Sequence, residues 1–452
     1  MDTAGSPALN GRAMAAVGGC WLLATIAAVA LWQKAPAFID ASYGSAHQPF
    51  ELLGMFLSAV TVGAAVVWLW TRSERDAPTV AVLGASLLPV FAAIHQVSEH
   101  AKPSWDWKCY VGGAEAVLAG STPYADCYLY PPLVAEAMAA AYPWFATLGE
   151  FLALNSPKHW MLMFFVWHSF QVLMVALLVY LLQRLVHREG GSPLMAAIIV
   201  AVVLVVCTPL ERTIRHNQVN LLVLNLVLLG IDRVRAAPTL AGGLLAVAAH
   251  IKLLPLAVMA PMAIGRRWRF VASAGVATTV IAVYPMLSGS NGSLWAEFFA
   301  YGPQFVSGEY FRDNSFTGLL FNTVRVPIDA MGGTIQGMQK PLRLAGAAVS
   351  ICVVTAVLFA ARHCRNLDEL GAIGLASMML LSPVAWEHHY VWALPLVVLV
   401  AARRWERHPL TIAAIVVLIG ALPTFDVYPL SYHRLAGLLW LLRFELSQGS
   451  QR

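Results

Sequence analysis

Apolar residues fall along this chain in long blocks separated by short polar loops. The blocks run approximately 14–33, 52–71, 78–95, 159–184, 193–209, 218–231, 239–250, 253–265, 270–287, 342–361, 367–383, 388–402, 410–422 and 433–446. Many approach the ~20 apolar residues a helix needs to cross ~30 Å of hydrocarbon. The pattern predicts an all-α, polytopic membrane protein with about fourteen transmembrane helices and two large extracytoplasmic loops. Residues 1–95 form N-terminal transmembrane helices, 96–158 a first outer loop, and 159–452 a transmembrane bundle interrupted by a second outer loop at 288–341. The first block follows Arg12 as a signal sequence would, but its apolar run is longer than a signal core, so it is read as a retained span.

Two places break the pattern. Residues Pro131 to Phe145 are apolar, yet Glu136, Pro143 and Glu150 interrupt the stretch 131–152. A helix lying on or dipping into the outer leaflet fits it better than a crossing. The second irregularity is Ala249-His250-Ile251-Lys252-Leu253-Leu254-Pro255. One straight helix over 239–265 would reach ~40 Å. Two half-helices meeting at His250 and Lys252, with Pro255 opening the second, are expected instead. Backbone turned at that depth must face protein or water. A kinked helix with a snorkelling Lys252 is the plainer alternative.

Composition agrees: of 452 residues, 59% are hydrophobic and 12% charged, where a soluble chain carries about 25%. The net charge of +5 lies mostly in short loops, which excludes nucleic acid as a partner and leaves membrane lipids. Arg72 and Arg75, Arg184 and Arg188, Arg233 and Arg235, Arg266, Arg267 and Arg269, Arg362 and Arg365, and Arg403, Arg404 and Arg407 all fall on one side of the predicted topology. The positive-inside rule makes that side cytoplasmic and places both long loops and their chemistry outside a plasma (inner) membrane.

The candidate chemistry sits on the outer side. Asp106 lies between Trp105 and Trp107 just past an apolar block. A carboxylate at an interface is costly unless it works or is paired; pairing with Lys102 or Lys108 is the structural alternative to a general base. The tryptophans either stack on sugar faces or anchor the helix end in the interface. Outer cations are few: Arg212, Arg215, His216, His250, Lys252, Arg312, Arg325, His388 and His389. Basic or amide groups at Arg215 with Asn217 and Gln218, at His250 with Lys252, and at His388 with His389 come from three separate segments, which suits an anionic ligand. Adjacent His388 and His389 would point about 100° apart on a helix, and no H-e-x-x-H spacing occurs, so neither a metal nor another cofactor is expected.

Four stretches resemble glycosyltransferase family 87, polyprenol-phosphate-mannose-dependent mannosyltransferases of the GT-C superfamily. They are Asp106-Trp107-Lys108-Cys109-Tyr110 with Leu118 to Tyr124 and Tyr130-Pro131-Pro132-Leu133; Asn217-Gln218-Val219-Asn220; Ile251-Lys252-Leu253-Leu254-Pro255; and Leu381 to Tyr390. The resemblance implies a GT-C fold, an extracytoplasmic site, a polyprenyl-phosphate sugar donor, a lipid or glycan acceptor, and Asp106 as catalytic base. Tyr110, Tyr124, Tyr130 and Trp107 would be loop contacts around it. The third stretch reads Leu-Leu-Pro where the family often has Leu-Thr-Pro, and two apolar blocks precede the family's first core helix. Rival readings are a lipid-linked glycan ligase or polymerase and, because broken helices also serve transporters, a polar-solute transporter. Cys109 and Cys127 share the outer loop, where oxidising conditions permit a disulfide; two free buried thiols are the alternative.

Overall fold

The computed structural model describes residues 77–100, 102–152, 156–287, 293–301, 312–335, 337–364 and 366–449. The predicted spans 14–33 and 52–71, with Arg72 and Arg75, lie outside the described residues, as does part of the 288–341 loop.

The described residues are helical. In order they form α1 (Ala77–Glu99), α2 (Trp105–Leu118), α3 (Pro132–Phe151), α4 (Ser156–Arg188), α5 (Pro193–Val205), α6 (Thr208–Arg215), α7 (Asn220–Arg233) and α8 (Pro238–Ile251). A 3₁₀ turn, Leu254–Val258, leads into α9 (Met259–Ile264), followed by α10 (Trp268–Leu287), α11 (Ser293–Tyr301), α12 (Phe316–Ala330), α13 (Gln339–Ala361) and α14 (Leu367–Leu381). A second 3₁₀ segment, Glu387–Ala393, runs into α15 (Leu394–Arg404); α16 (Pro409–Val416) and α17 (His433–Gly449) complete the chain. Proline opens α3, α5, α6, α8 and α16, where its missing N–H costs nothing and its fixed φ suits the first turn.

Among the described residues, fewer helices than apolar blocks meet the length and composition of a span. Among the described residues three helices are long and apolar enough to cross a membrane: Ala81–Glu99, Lys158–Arg188 and Gln339–Ala361. A fourth crossing is possible by length if α5 and α6 count together, bent by 61° at their junction. The expected fourteen is not confirmed among the described residues. Blocks of the right composition are cut by proline and by 3₁₀ turns into helices such as α7, α8 and α16, too short for ~30 Å on their own. The break at Lys252 is present as expected: α8 ends at Ile251, Lys252 is extended (φ −142°, ψ 130°), and Pro255 sits in the next turn. The stretch 131–152 forms α3 with Pro143 inside it, and its Trp144 and Phe151 stand exposed.

Charge is concentrated at one end of the bundle. Arg403 meets Glu189 at 2.7 Å, Glu369 at 2.8 Å and Glu445 at 2.5 Å, while Arg404 meets Glu445 at 3.0 Å. Arg188 joins Asp368 at 2.8 Å and also reaches Asp232. These pairs tie the C-terminal parts of α4, α7, α15 and α17 to the start of α14. His168 stands twenty residues before Arg188 on α4, about 30 Å away along the axis. The groups gathered around His168 and Asn217 therefore lie roughly one hydrocarbon thickness from the arginine end.

Candidate active site

Asp106 enters the site from the first turn of α2. Ser104 caps that helix: its Oγ accepts from Trp107 N at 3.1 Å. Cap and carboxylate both favour the N-terminal end of a helix. The base of this segment is stapled by a Cys109–Cys127 disulfide with Cα atoms 5.3 Å apart, three residues from Asp106. Of the two alternatives left open by the sequence, the structure has the bridge. Gly113 lets the return segment approach, because a Cβ there would lie 2.7 Å from the Tyr128 ring.

The opposite wall comes from the turn between α6 and α7. His216 Nδ1 lies 4.0 Å from Asp106 Oδ2, and the Gln218 side chain approaches the carboxylate closely enough to lower its pKa. The same Gln218 accepts from Tyr130 Oη at 2.9 Å through its Oε1, which leaves its amide N–H for Asp106. Burial pushes the Asp106 carboxyl above its usual range, opposed by the Gln218 side chain and the Lys252 charge. Such a carboxyl is a stronger base than a solvated aspartate once ionised.

Lys252 stands in a cage. Its Nζ is 3.0 Å from His389 Nε2, 5.2 Å from the Tyr130 ring centre and 5.3 Å from that of Trp392. His389 stacks on Trp392 with an interplanar angle of 7°. His388 is edge-on to His389 at 4.6 Å and 5.9 Å from the His216 ring. Tyr130 thus bridges the two halves: its hydroxyl reaches the Gln218–Asp106 pair and its ring face the Lys252 ammonium, a cation–π contact.

The 3₁₀ turn carrying His388 and His389 is fixed from below. Glu387 is buried and accepts from Arg434 Nη2 at 2.6 Å and from Thr424 Oγ1, with Arg212 Nε at 3.6 Å. The His388 carbonyl accepts from Asn220 Nδ2 at 3.1 Å and Thr213 Oγ1 at 3.0 Å. Those bonds lock the turn onto the α6–α7 corner.

Residues 128–383, more than half of the chain, match glycosyltransferase family 87. The chain belongs to that family. It is also 28% identical over 340 residues to the polyprenol-phosphate-mannose-dependent alpha-(1-2)-phosphatidylinositol pentamannoside mannosyltransferase of Mycolicibacterium smegmatis, covering 72% of this chain and 76% of that relative. This family 87 chain is accordingly a glycosyltransferase. The family match begins beyond Asp106, so the aspartate's place rests on the geometry just described.

The structure brings together Asp106, Gln218, Tyr130, Lys252, His388 and His389, as the sequence expected. Others of the expected set stand back. Trp107 is buried against Phe164 at 5.5 Å, while Trp105 is 69% exposed, so neither indole sandwiches the carboxylate. Tyr110 packs edge-on behind Tyr130 at 5.0 Å, and Tyr124 packs against Tyr128 and Phe298. His250 donates to the Ala246 carbonyl through Nδ1 at 2.8 Å and meets Trp295 edge-on at 5.4 Å. Arg215 ends α6 beside His216. Asn217 is buried, its amide turned away from Asp106 onto Ser104 and His168.

Sequence reading passed over Trp392, Glu387 with Arg434, Ser104 and His168. A histidine in the middle of the 159–184 block, in addition to the one at its start, was the available signal, since a polar group within a span is rarely idle. Ser104, one residue ahead of an apolar helix with an acid in its first turn, was a cap signature.

Proposed function

We propose that this enzyme moves a sugar, mannose, from a polyprenyl-phosphate donor to a hydroxyl of a lipid or glycan on the extracytoplasmic face of the plasma membrane. The observation that carries the reading is the Asp106–Gln218–Tyr130–Lys252 array, which sets a base beside a caged cation. Asp106 accepts the proton of the acceptor hydroxyl as its oxygen bonds to the anomeric carbon. The bond from that carbon to the phosphate oxygen breaks, and polyprenyl phosphate leaves with the electron pair. Lys252, with His388 and His389 beside it and Arg215 and His250 further out, offsets the charge on the leaving phosphate. One displacement without a carboxylate nucleophile inverts the anomeric centre, so a β-linked donor gives an α-linked product. In this reading the cations do the work of a metal. The short helices complete the GT-C membrane fold in pairs, as α5 with α6 and α8 with α9.

The donor in the relative's name supports mannose and the polyprenyl phosphate. The outer face is supported by the ~30 Å along α4 between the site and the arginine end.

Purified enzyme with polyprenyl-phosphate-mannose and a lipid acceptor extract should add one hexose to an acceptor, read by mass spectrometry. D106N should lower kcat by about 10²–10⁴-fold with the fold intact. The base works ionised and burial raises its pKa, so wild-type kcat/KM should fall on acidification at a pH above the usual carboxylate range. A D106N enzyme of near-normal rate places the base elsewhere, with Asp313 next and Glu309 and Asp40, outside the described residues, after it.

A further inference from the structure

Asp106 is touched by residues 216 and 218, but the residue between them is gripped from behind. Asn217 has a positive φ of 55°, a conformation that asparagine tolerates better than most residues. It throws the side chain away from Asp106 and toward the interior, where Asn217 is fully buried. Two consecutive residues of α4 hold it there. Trp167 Nε1 donates to the Asn217 carbonyl at 3.1 Å, and His168 Nδ1 lies 2.8 Å from the Asn217 amide nitrogen. Since that nitrogen can only donate, His168 Nδ1 is the acceptor. The ring proton is therefore on Nε2, which lies 3.0 Å from the Val97 carbonyl at the end of α1 and donates to it.

The other end of the Asn217 amide meets the segment that leads into Asp106. Its Oδ1 accepts from Ser104 N at 3.1 Å, and Ser104 Oγ donates to the His216 carbonyl at 2.6 Å while capping α2. The chain of bonds runs from Val97 through His168 and Asn217 to Ser104, two residues before Asp106. It is a single path of neutral donors and acceptors in a buried setting, where a half-made network costs more than none.

We propose that His168 is a positioning residue for the transferase reaction: through Asn217 it fixes the Ser104 cap of α2 and the His216–Gln218 corner, and so aims the Asp106 carboxylate. The proposal rests on Asp106 being the base. Its tool is His168→Phe, which keeps a ring and removes both hydrogen bonds, beside His168→Asn, whose Oδ1 returns an acceptor close to the Nδ1 position.

A displaced reacting group costs on the order of 10²-fold in rate. H168F should therefore lose about 10²-fold in kcat while its KM for the donor stays near wild type, and its thermal midpoint in detergent should fall, because Val97 and Asn217 lose a buried partner. H168N should recover most of that loss. In a D106N background H168F should add nothing to the residual rate, because two residues serving one function are not additive. Wild-type kcat in H168F overturns the relay, as does a further full loss in the double variant. Should H168F not accumulate, Asn217→Gly keeps the positive φ without strain and deletes both side-chain links. The same drop in kcat supports the relay; wild-type kcat in N217G overturns it. D106N measured alongside separates the two ideas. A D106N of normal rate removes the base itself, whereas a dead D106N beside a fully active H168F removes the relay alone.

Discussion

Lys252 contacts two aromatic faces and a histidine nitrogen, with the Asp106 carboxylate within electrostatic reach, which leaves its ammonium open to a phosphate. Lys252→Met should raise the donor KM by about 10–10²-fold, the equivalent of one charge-assisted hydrogen bond of roughly 1.5–3 kcal/mol. Acceptor KM should change little. Steady-state kinetics with each substrate varied in turn checks this, and an unchanged donor KM would move the phosphate contact to Arg215 or His388. At this scale the sequence was most informative, because a lysine or aspartate inside an apolar chain is conspicuous. Asp106, Lys252, Gln218 and the histidine pair stood out for that reason. Direction was not legible. Asn217 and Trp107 belong to the right segments, yet a positive φ turns one side chain inward, and helix phase buries the other against Phe164.

At the scale of elements, helix interruptions place the chemistry. The break after Ile251 delivers Lys252, the 61° bend between α5 and α6 leads to the His216 corner, and the 3₁₀ turn at Glu387–Ala393 presents two histidines. The first break could be read from a lysine and a proline within one apolar run. The last could not, because its support comes from Arg434, forty-seven residues downstream. Arg434 is wholly buried and its guanidinium bonds Glu387, Thr424 and the Leu422 carbonyl. Arg434→Met should leave Glu387 with Arg212 as its remaining cation and destabilise the protein by about 3–5 kcal/mol. The double variant with Glu387→Gln should recover part of that. Thermal unfolding in detergent reads both; an R434M protein as stable as wild type would mean that Glu387 is not an ionised partner. The bridge between positions 109 and 127 acts at the same scale. Closing a loop of 18 residues, it stabilises by ~3 kcal/mol in the chain-entropy model and ties α2 to the strand of chain that ends in Tyr130.

For the whole molecule, hydropathy predicted the class, while among the described residues three helices qualify as straight crossings by length and composition. An apolar block says that a segment avoids water; it does not say whether lipid or protein covers it. α14 shows why: its residues from Leu367 to Leu380 are buried within the bundle, so its apolarity answers to neighbouring helices and carries no information about lipid. Charge is the better guide to orientation, because arginines at helix ends gather on one side whatever the helices between them do. Arg188, Arg403 and Arg404 share one end, and Asp106 with Lys252 belongs to the other. Under the proposed function the donor presents its phosphate opposite the arginines. Two exposed positions test this, Lys102 near the α2 cap and Arg407 beyond α15. In a chain whose free cysteines are replaced and whose 109–127 bridge is kept, Lys102→Cys should react with a membrane-impermeant maleimide in intact cells. Arg407→Cys should react only after permeabilisation. The reverse pattern would put Asp106 on the cytoplasmic face and require a donor whose sugar is displayed there.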